Sequence, residues 1–459
     1  MKSAMDEHQA AGFTAGVIGG GVAGLTAAYR LLQAGFRVTL WERNTQLGGQ
    51  AAAFPVAGSA LEYFYHHLFM SDRDIVALAE ELGIGDRLVW LPSRVGFYAN
   101  GKIYPLASAL DVLRLGVVPF HDRLRIGLVT YYLQHVHNWR RFEAVTAWDW
   151  LQRAVGRRAF ERVWGAQLRA KFGPRARDVA MVWFWNKIYL RTQSRTSLFE
   201  PEKLGYFRGS FNALIDRLAE AIRQRGGRIF AGIGVEHVRR EANQWIIRDN
   251  TGQATAVDVL VVTAPSPLVV RLFPNLPADY VRKLTGTVYQ AAATLLLQTR
   301  HQLSPIYWLN IGDLDLPYTG IIEHTNLIGP EHYQGWHFVY VSKYVEQDDP
   351  YIQLDDESIF QIALEQLPKI NPQFSADWVE RYWVFRERAA QPIIPLHYSQ
   401  QLPEHRMPLP AAYLANTTQI YPEDRGTNYS VRLGNTIAHI ILDDLKQGRL
   451  RIPEPVLAR

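Results

Sequence analysis

The 459-residue chain contains no cysteine. That absence excludes disulfides, thiolate metal sites and a redox-active dithiol in one step. No apolar run approaches the length needed to cross a bilayer. The opening stretch, MKSAMDEHQAAG, lacks the apolar core of a secretory signal. Charge of one sign is also scarce: 49 Lys+Arg against 44 Asp+Glu leave a formal +5. For this length that excess favours anionic ligands or surfaces only mildly and does not argue for nucleic acid. Short internal repeats, heptads and low-complexity tracts are missing. The chain is therefore expected to be cytoplasmic, with any membrane contact peripheral and made through a surface.

What remains is the composition of a folded enzyme, 48% hydrophobic and 20% charged. The length predicts two domains, sequential or intergrown. Near the start stands VIGGGVAGLTAAYRLLQAGFRVTLWE. Phe13 to Ile18 reads as a short strand, and Gly19, Gly21 and Gly24 follow with G-x-G-x-x-G spacing. The first glycine permits a tight turn, the second lets a pyrophosphate reach the backbone, and the third lets helix pack on strand. Val22 to Ala34 carries apolar residues at helical spacing and stops at Gly35. The N-terminus of that helix offers N–H groups and a positive dipole end to phosphates. A second strand, Arg37 to Glu42, ends on a carboxylate suited to ribose hydroxyls. The unit predicts dinucleotide binding; the glycines alone would fit a tight turn in any α/β protein.

Directly after Glu42 come Arg43 and a second glycine turn, Leu47-Gly48-Gly49. Here the chain resembles the flavoprotein superfamily of amine oxidases, protoporphyrinogen oxidases and phytoene-type desaturases. In that superfamily an E-R-x-x-x-x-G-G segment runs beside the FAD diphosphate. This chain has Gln50 where many members have arginine, which shades the likeness toward the desaturase branch. The resemblance continues in GSFNALIDRLAEAIRQRGGRIFAGIGVEHVRR, an amphipathic helix and strand whose apolar face is Leu214, Leu218, Ala221 and Ile222. It implies that Val235 meets the adenine through its backbone. Val257 to Pro267 reads as a buried parallel strand and its turn. Near the C-terminus, Tyr413 to Ala415 reads as a strand end and Thr427 onward as a helix. The likeness places Gly426, Thr427 and Asn428 at the flavin's pyrimidine edge, where a helix N-terminus stabilises negative charge. Ala415-Asn416-Thr417 departs from the usual Ala-Gly-acid, so Glu423 or Asp424 is left to stand in for that acid.

Three FAD segments at start, middle and end imply an α/β fold: a Rossmann-like FAD-binding domain with a parallel sheet, interleaved with a mixed α+β substrate domain. The expected bounds are 1–70, 200–275 and 405–459 for the FAD domain. Residues 71–199 supply a helical part and 276–404 a sheet part of the substrate domain. The helical part is dense in tryptophan, which fits either a large-side-chain core or a tunnel or membrane-facing lip for an apolar substrate. AAATLLLQ and WHFVYVSKYV suit a sheet walling the site.

Among reactive groups, His67 in LEYFYHHLF follows the FAD glycines and is a candidate base or flavin contact. A wall histidine is the plainer reading. Tyr421 is a second catalytic candidate, at the flavin face. No metal site is expected: His66 and His67 have no acid at ligand spacing. Pro317 to Asn326, PYTGIIEHTN, is similar to the P-Y-T-R-I-I-E-H stretch of UDP-galactopyranose mutases, with Gly320 replacing the arginine. The resemblance as a whole implies an FAD-dependent oxidoreductase taking a hydride onto flavin N5 from an apolar or amine-containing small molecule, with oxygen or a quinone as acceptor. A mutase-like isomerase and a non-catalytic flavin-binding protein stay as alternatives, since fold is a poor guide to substrate.

Overall fold

A computed structural model describes residues 10, 12–193 and 202–450. The expected boundary at 199/200 and both chain ends lie outside the described residues. Thr14–Ile18 forms the centre of a five-stranded, all-parallel sheet. Arg37–Glu42 and then Arg228–Ala231 lie on one side of it; Val259–Val262 and then Ala412–Leu414 lie on the other. Strands from three distant stretches thus make one sheet. Both faces are covered, so these strands are apolar without alternation. Val17, Leu40, Val259 and Val261 pack against the helices Val22–Gln33, Asn212–Gln224 and Thr427–Lys446. Ile18, Trp41, Leu260 and Val262 face the antiparallel sheet Val235–Val257 and the helices after it. Leu214, Leu218, Ala221 and Ile222 are buried, as their helical spacing predicts.

A seven-stranded sheet forms the second layer, in the order Val379–Pro392, Tyr289–Thr299, His337–Val345, Gly320–Glu323, Trp308–Ile311, Val95–Ala99, Lys102–Pro105. Its last two strands come from the stretch 71–199, which sequence periodicity reads as helical. Those strands are only 5 and 4 residues long and end at an Asn-Gly turn, Asn100-Gly101, too short to register against long apolar helices. A third strand of that stretch, Leu88–Pro92, pairs with Lys203–Phe207 in a small separate sheet, and the helices Phe120–His135, Ala147–Val155, Trp164–Phe172 and Met181–Gln193 cover the seven-stranded one. Trp148 and Trp185 are core residues there, whereas buried Trp164 and Trp183 also line a cavity. Among the described residues no helix is long and apolar enough to cross a membrane.

Candidate functional site

The site begins where the first two parallel strands end. Gly19 adopts φ +111° and its N–H donates to the Trp41 carbonyl, turning the chain out of the strand. A Cβ on Gly24 would sit 2.0 Å from the Gly19 carbonyl oxygen, so the helix packs on the strand only with glycine there. Gly21 caps Val22–Gln33 with no side-chain acceptor, and the first turn carries no acid. Its leading N–H groups are open to an anion.

Glu42 is buried and well used. Its carboxylate accepts the Gly20 N–H at 2.7 Å and the Asn44 N–H at 2.9 Å. The second glycine turn closes on the first: the Gly48 N–H donates to the Gly20 carbonyl, and a Cβ on Gly49 would meet the Gly21 Cα at 3.2 Å. Both are in the left-handed region, with φ +108° and +59°. Arg43 is exposed and flanks Gly234, where a Cβ would lie 3.4 Å from the Arg43 Cβ. Val235 follows, and the Ile233 and Gly232 N–H groups bond to the Glu42 and Asn44 carbonyls. Gly19, Gly21, Gly24, Glu42, Arg43, Gly48, Gly49 and Val235 therefore converge on one end of the parallel sheet, the position where open α/β sheets take ligands.

From this cradle a cavity of about 360 Å³ extends between the seven-stranded sheet and the helical layer. Gly426 and Thr427, opening the helix Thr427–Lys446, line it together with Gln50, His66 and His67. Gly426 brings no side-chain cap and the first turn no acid, so this helix too presents an uncompensated N-terminus. Asn428 turns away: its Oδ1 accepts the Ile75 N–H, tying the terminal helix to Arg73–Glu81. Tyr421 is also outside the cavity lining. Its hydroxyl donates to Glu143 at 2.7 Å, and its ring packs edge-on against Trp139. Of the two catalytic candidates, only His67 reaches the cavity. His67 Nδ1 lies 3.1 Å from the Tyr307 hydroxyl, and burial plus the Arg191, His66 and Lys187 charges hold its pKa down at about 3. It is neutral at physiological pH. His66, held at about 4 chiefly by burial, is neutral too.

The charged lining comes from residues that carry no motif. Lys171 projects from Trp164–Phe172 over the Tyr344 ring, 4.3 Å from its centroid. Burial lowers the Lys171 pKa to about 8. Arg425 donates to the Tyr344 hydroxyl at 2.5 Å. Burial opposes ionisation of Tyr344, but Arg425 and Lys171 outweigh it and bring the phenol down to about 8. Lys187 is paired with Asp424, which also accepts from Gln391 at 3.3 Å. Burial pushes against that carboxylate, and Lys187, Lys171 and Arg425 hold it at about 2 nonetheless. Asp424 thus faces the cavity, while Glu423 pairs with Arg432 instead. Asn416 caps its own turn, accepting the Thr418 N–H, and donates to the Ala264 carbonyl.

Sequence reasoning missed Lys171, Lys187, Tyr344 and Arg425. Arg425, adjacent to Gly426, was the one within reach of a motif. It also approaches Gln50, at 3.5 Å, the residue that replaces the superfamily's arginine. Among the described residues no cluster of three or more His, Cys, Asp or Glu is placed to hold a metal ion.

The residues fit a flavin dinucleotide. Two glycine turns leave room for a diphosphate, two helix N-termini lack acceptors, and the buried Arg425 Nε and Gln391 Oε1 at the cavity have no protein partner among the described residues. A parallel-sheet nucleotide fold with a second, sheet-walled cavity defines a flavoprotein of the amine oxidase type. Residues 22–420 match the model of the flavin containing amine oxidoreductase family, and the chain belongs to that family.

Its relatives are distant. A Mycobacterium tuberculosis protein named as a flavin-containing monoamine oxidase is 24% identical over 275 residues, covering 58% of this chain. The chain spans 60% of that relative's length. The coproporphyrinogen III oxidase of Mycobacterium leprae is 21% identical, covering 61% of this chain and 66% of that protein. The same fold occurs in a solved Exiguobacterium structure named as a protoporphyrinogen oxidase, with TM-score 0.75, 18% identity and coverage of 95% and 100%.

The mutase-like stretch has a structural account. The Glu323 carboxylate accepts the Leu303 and Ser304 N–H groups, and His324 contacts the Tyr333 hydroxyl at 2.7 Å, all buried. Only Thr319 and Gly320 of that stretch touch the cavity.

Proposed function

We propose that the chain is an FAD-dependent oxidoreductase acting on a small molecule with an apolar body, neutral or carboxylate-bearing, held in the cavity that Lys171, Tyr344 and Arg425 line. When bound, the flavin supplies hydride acceptance at N5 and passes the electrons to oxygen or a quinone. The chain's own part is positional and electrostatic. Trp164, Trp183, Phe184 and Trp308 give an apolar wall that excludes water and orients the donor C–H. Lys171, Lys187, Arg425 and the N-terminus of Thr427–Lys446 place positive charge where reduction makes the site more negative. No strong base is needed for direct hydride transfer, and neutral His67 accepts a hydrogen bond or a proton at most weakly.

The observation that carries this reading is the junction of the glycine cradle with a cavity whose lining sets Lys171, Lys187, Arg191 and Arg425 against Asp72, Glu387 and Asp424. That lining also narrows the substrate. Asp424 neutralises Lys187, but Lys171, Arg191 and Arg425 outnumber Asp72 and Glu387, so a neutral or carboxylate-bearing compound fits better than an amine. Of the substrates in the relatives' names, a porphyrinogen with its carboxylates suits it better than a monoamine. We also read the interleaved bounds 1–70, 200–275 and 405–459 as the nucleotide unit and the remainder as the substrate unit. The test is a visible absorption spectrum of the purified protein, followed by anaerobic addition of a porphyrinogen, a polyene and several amines. A flavin spectrum bleached by the porphyrinogen or polyene supports the reading. Bleaching by amines alone overturns the substrate preference, and a protein that takes up no FAD overturns the whole.

A further inference from the structure

We propose that the outer face of the helix Phe120–His135 docks onto a membrane surface bearing anionic lipid. Phe120, Leu124, Leu128, Tyr131 and Tyr132 recur at helical spacing and share one face. They are 59%, 44%, 70%, 57% and 39% exposed. The opposite face is apolar as well, with Ile126 and Leu133 buried against the helical layer. A helix at the surface of a water-soluble protein ordinarily carries polar residues outward, so two apolar faces call for two apolar neighbours. Leu110, 51% exposed, extends the patch from the preceding helix Ala109–Arg114. Of the nine exposed large hydrophobic side chains among the described residues, six lie between Leu110 and Tyr132. Exposed hydrophobics scattered singly need no explanation; six together do.

Charge selects the neighbour. Between Asp111 and Glu143 the sequence has five arginines and a single acid, Asp122. Asp122 is buried, with Arg158 at 2.8 Å and His121 at 3.4 Å. Arg114, Arg125, Arg140 and Arg141 are exposed around the stripe. A second copy placing the same face here would bring this arginine-rich stretch against itself, with no exposed acid from the stretch to pair its arginines. An anionic bilayer answers both features, taking the apolar side chains below its headgroups and the arginines at them. The 16-residue helix is too short to span and lies flat on the surface. Docked this way, the helix stands one layer from the cavity: it packs on Met181–Gln193, whose Phe184, Ile188 and Arg191 line it. Docking is independent of the oxidoreductase reading.

The test is co-sedimentation of the full chain with phosphatidylcholine vesicles, with and without phosphatidylglycerol. Binding is expected to be about tenfold or more stronger on the anionic vesicles and to weaken as salt rises. The double variant Leu124→Asp/Leu128→Asp, at exposed positions, is expected to lose pelleting while keeping its melting temperature. Arg114→Glu is expected to weaken pelleting on anionic vesicles and leave the neutral ones unchanged. Absence of pelleting on either vesicle would overturn the proposal, as would full pelleting of the double variant. A wild-type dimer that Leu128→Asp makes monomeric, with no vesicle binding, would assign the face to self-association instead.

Discussion

The cradle and the cavity meet at Gln50 and Gly426, yet they are built by opposite means. The cradle is backbone: Gly19, Gly21, Gly24, Gly48 and Gly49 leave space, and Glu42 pins two amides beside it. The cavity is side chain: Lys171, Tyr344, Asp424 and Arg425 come from three distant stretches and meet only in the fold. A backbone site is fixed by where glycine is, so its spacing is a local property of the chain. A side-chain site is fixed by packing, and its charges acquire their character from one another.

Substitutions should separate the two. Gly24→Val carries the largest expected effect, because the added atoms collide with the Gly19 backbone and nothing flexible yields. Overpacking of that kind costs at least about 1–3 kcal/mol. Flavin content of the purified protein should fall to near zero, read from visible absorbance per mole of protein. Glu42→Ala is expected next. It strands the buried Gly20 amide, at about 1–3 kcal/mol for a buried donor, and also removes the acceptor of the more exposed Asn44 amide. FAD affinity should drop at least about tenfold by equilibrium dialysis. Normal flavin content in that variant would break the comparison on the cradle side.

On the cavity side, Lys171→Met should leave flavin content intact. It removes one of the two cations that hold Tyr344 at about 8, so the phenol should titrate at higher pH, followed by tyrosinate absorbance. An unchanged titration would mean that Arg425 alone sets it. His67→Ala should slow flavin reduction in single-turnover mixing without altering the bound-flavin spectrum. Because His67 is already neutral above about pH 4, the shape of the pH profile above that point should persist. Identical reduction rates would return His67 to the wall.

The smallest effect falls on stability. Burial raises Glu62 to about 7 and Glu323 to about 8, so the folded state holds protons there that the unfolded state has released above its lower carboxylate pKa. Stability contributed by these groups is present at low pH and lost as pH rises through 7 and 8. His66, His67 and His324 act oppositely, being held low in the fold, and cost stability only as pH falls below about 6.5. The melting temperature should therefore decline by a few degrees between pH 6.5 and 8.5, and Glu323→Gln should flatten that decline.

Much of the nucleotide half could be read from residues alone. The strand, glycine turn, helix and Glu42 fall within a residue or two of their expected bounds, because periodicity and glycine spacing are local. The short strands Val95–Ala99 and Lys102–Pro105 could not be read, since a few residues carry no decisive period. Tyr421 and Asn428 show the limit of placing side chains from neighbouring motifs. Tyr421 follows the last strand and Asn428 opens the terminal helix, but Glu143 takes the tyrosine and the Ile75 amide takes the asparagine. Lys171 was invisible for a different reason. A lysine in QLRAKFG looks like any helix-surface lysine until Tyr344 and Trp183 are folded around it.

On the proposed reading a backbone cradle holds the flavin while Lys171 and Arg425, set in place by packing, tune its chemistry. The most direct measurement is the midpoint potential of the bound flavin in the wild type and in Lys171→Met, taken at matched flavin occupancy. Lys171→Met should show a more negative potential, with FAD bound as tightly as in the wild type. An unchanged potential, or loss of the flavin itself, would contradict that reading.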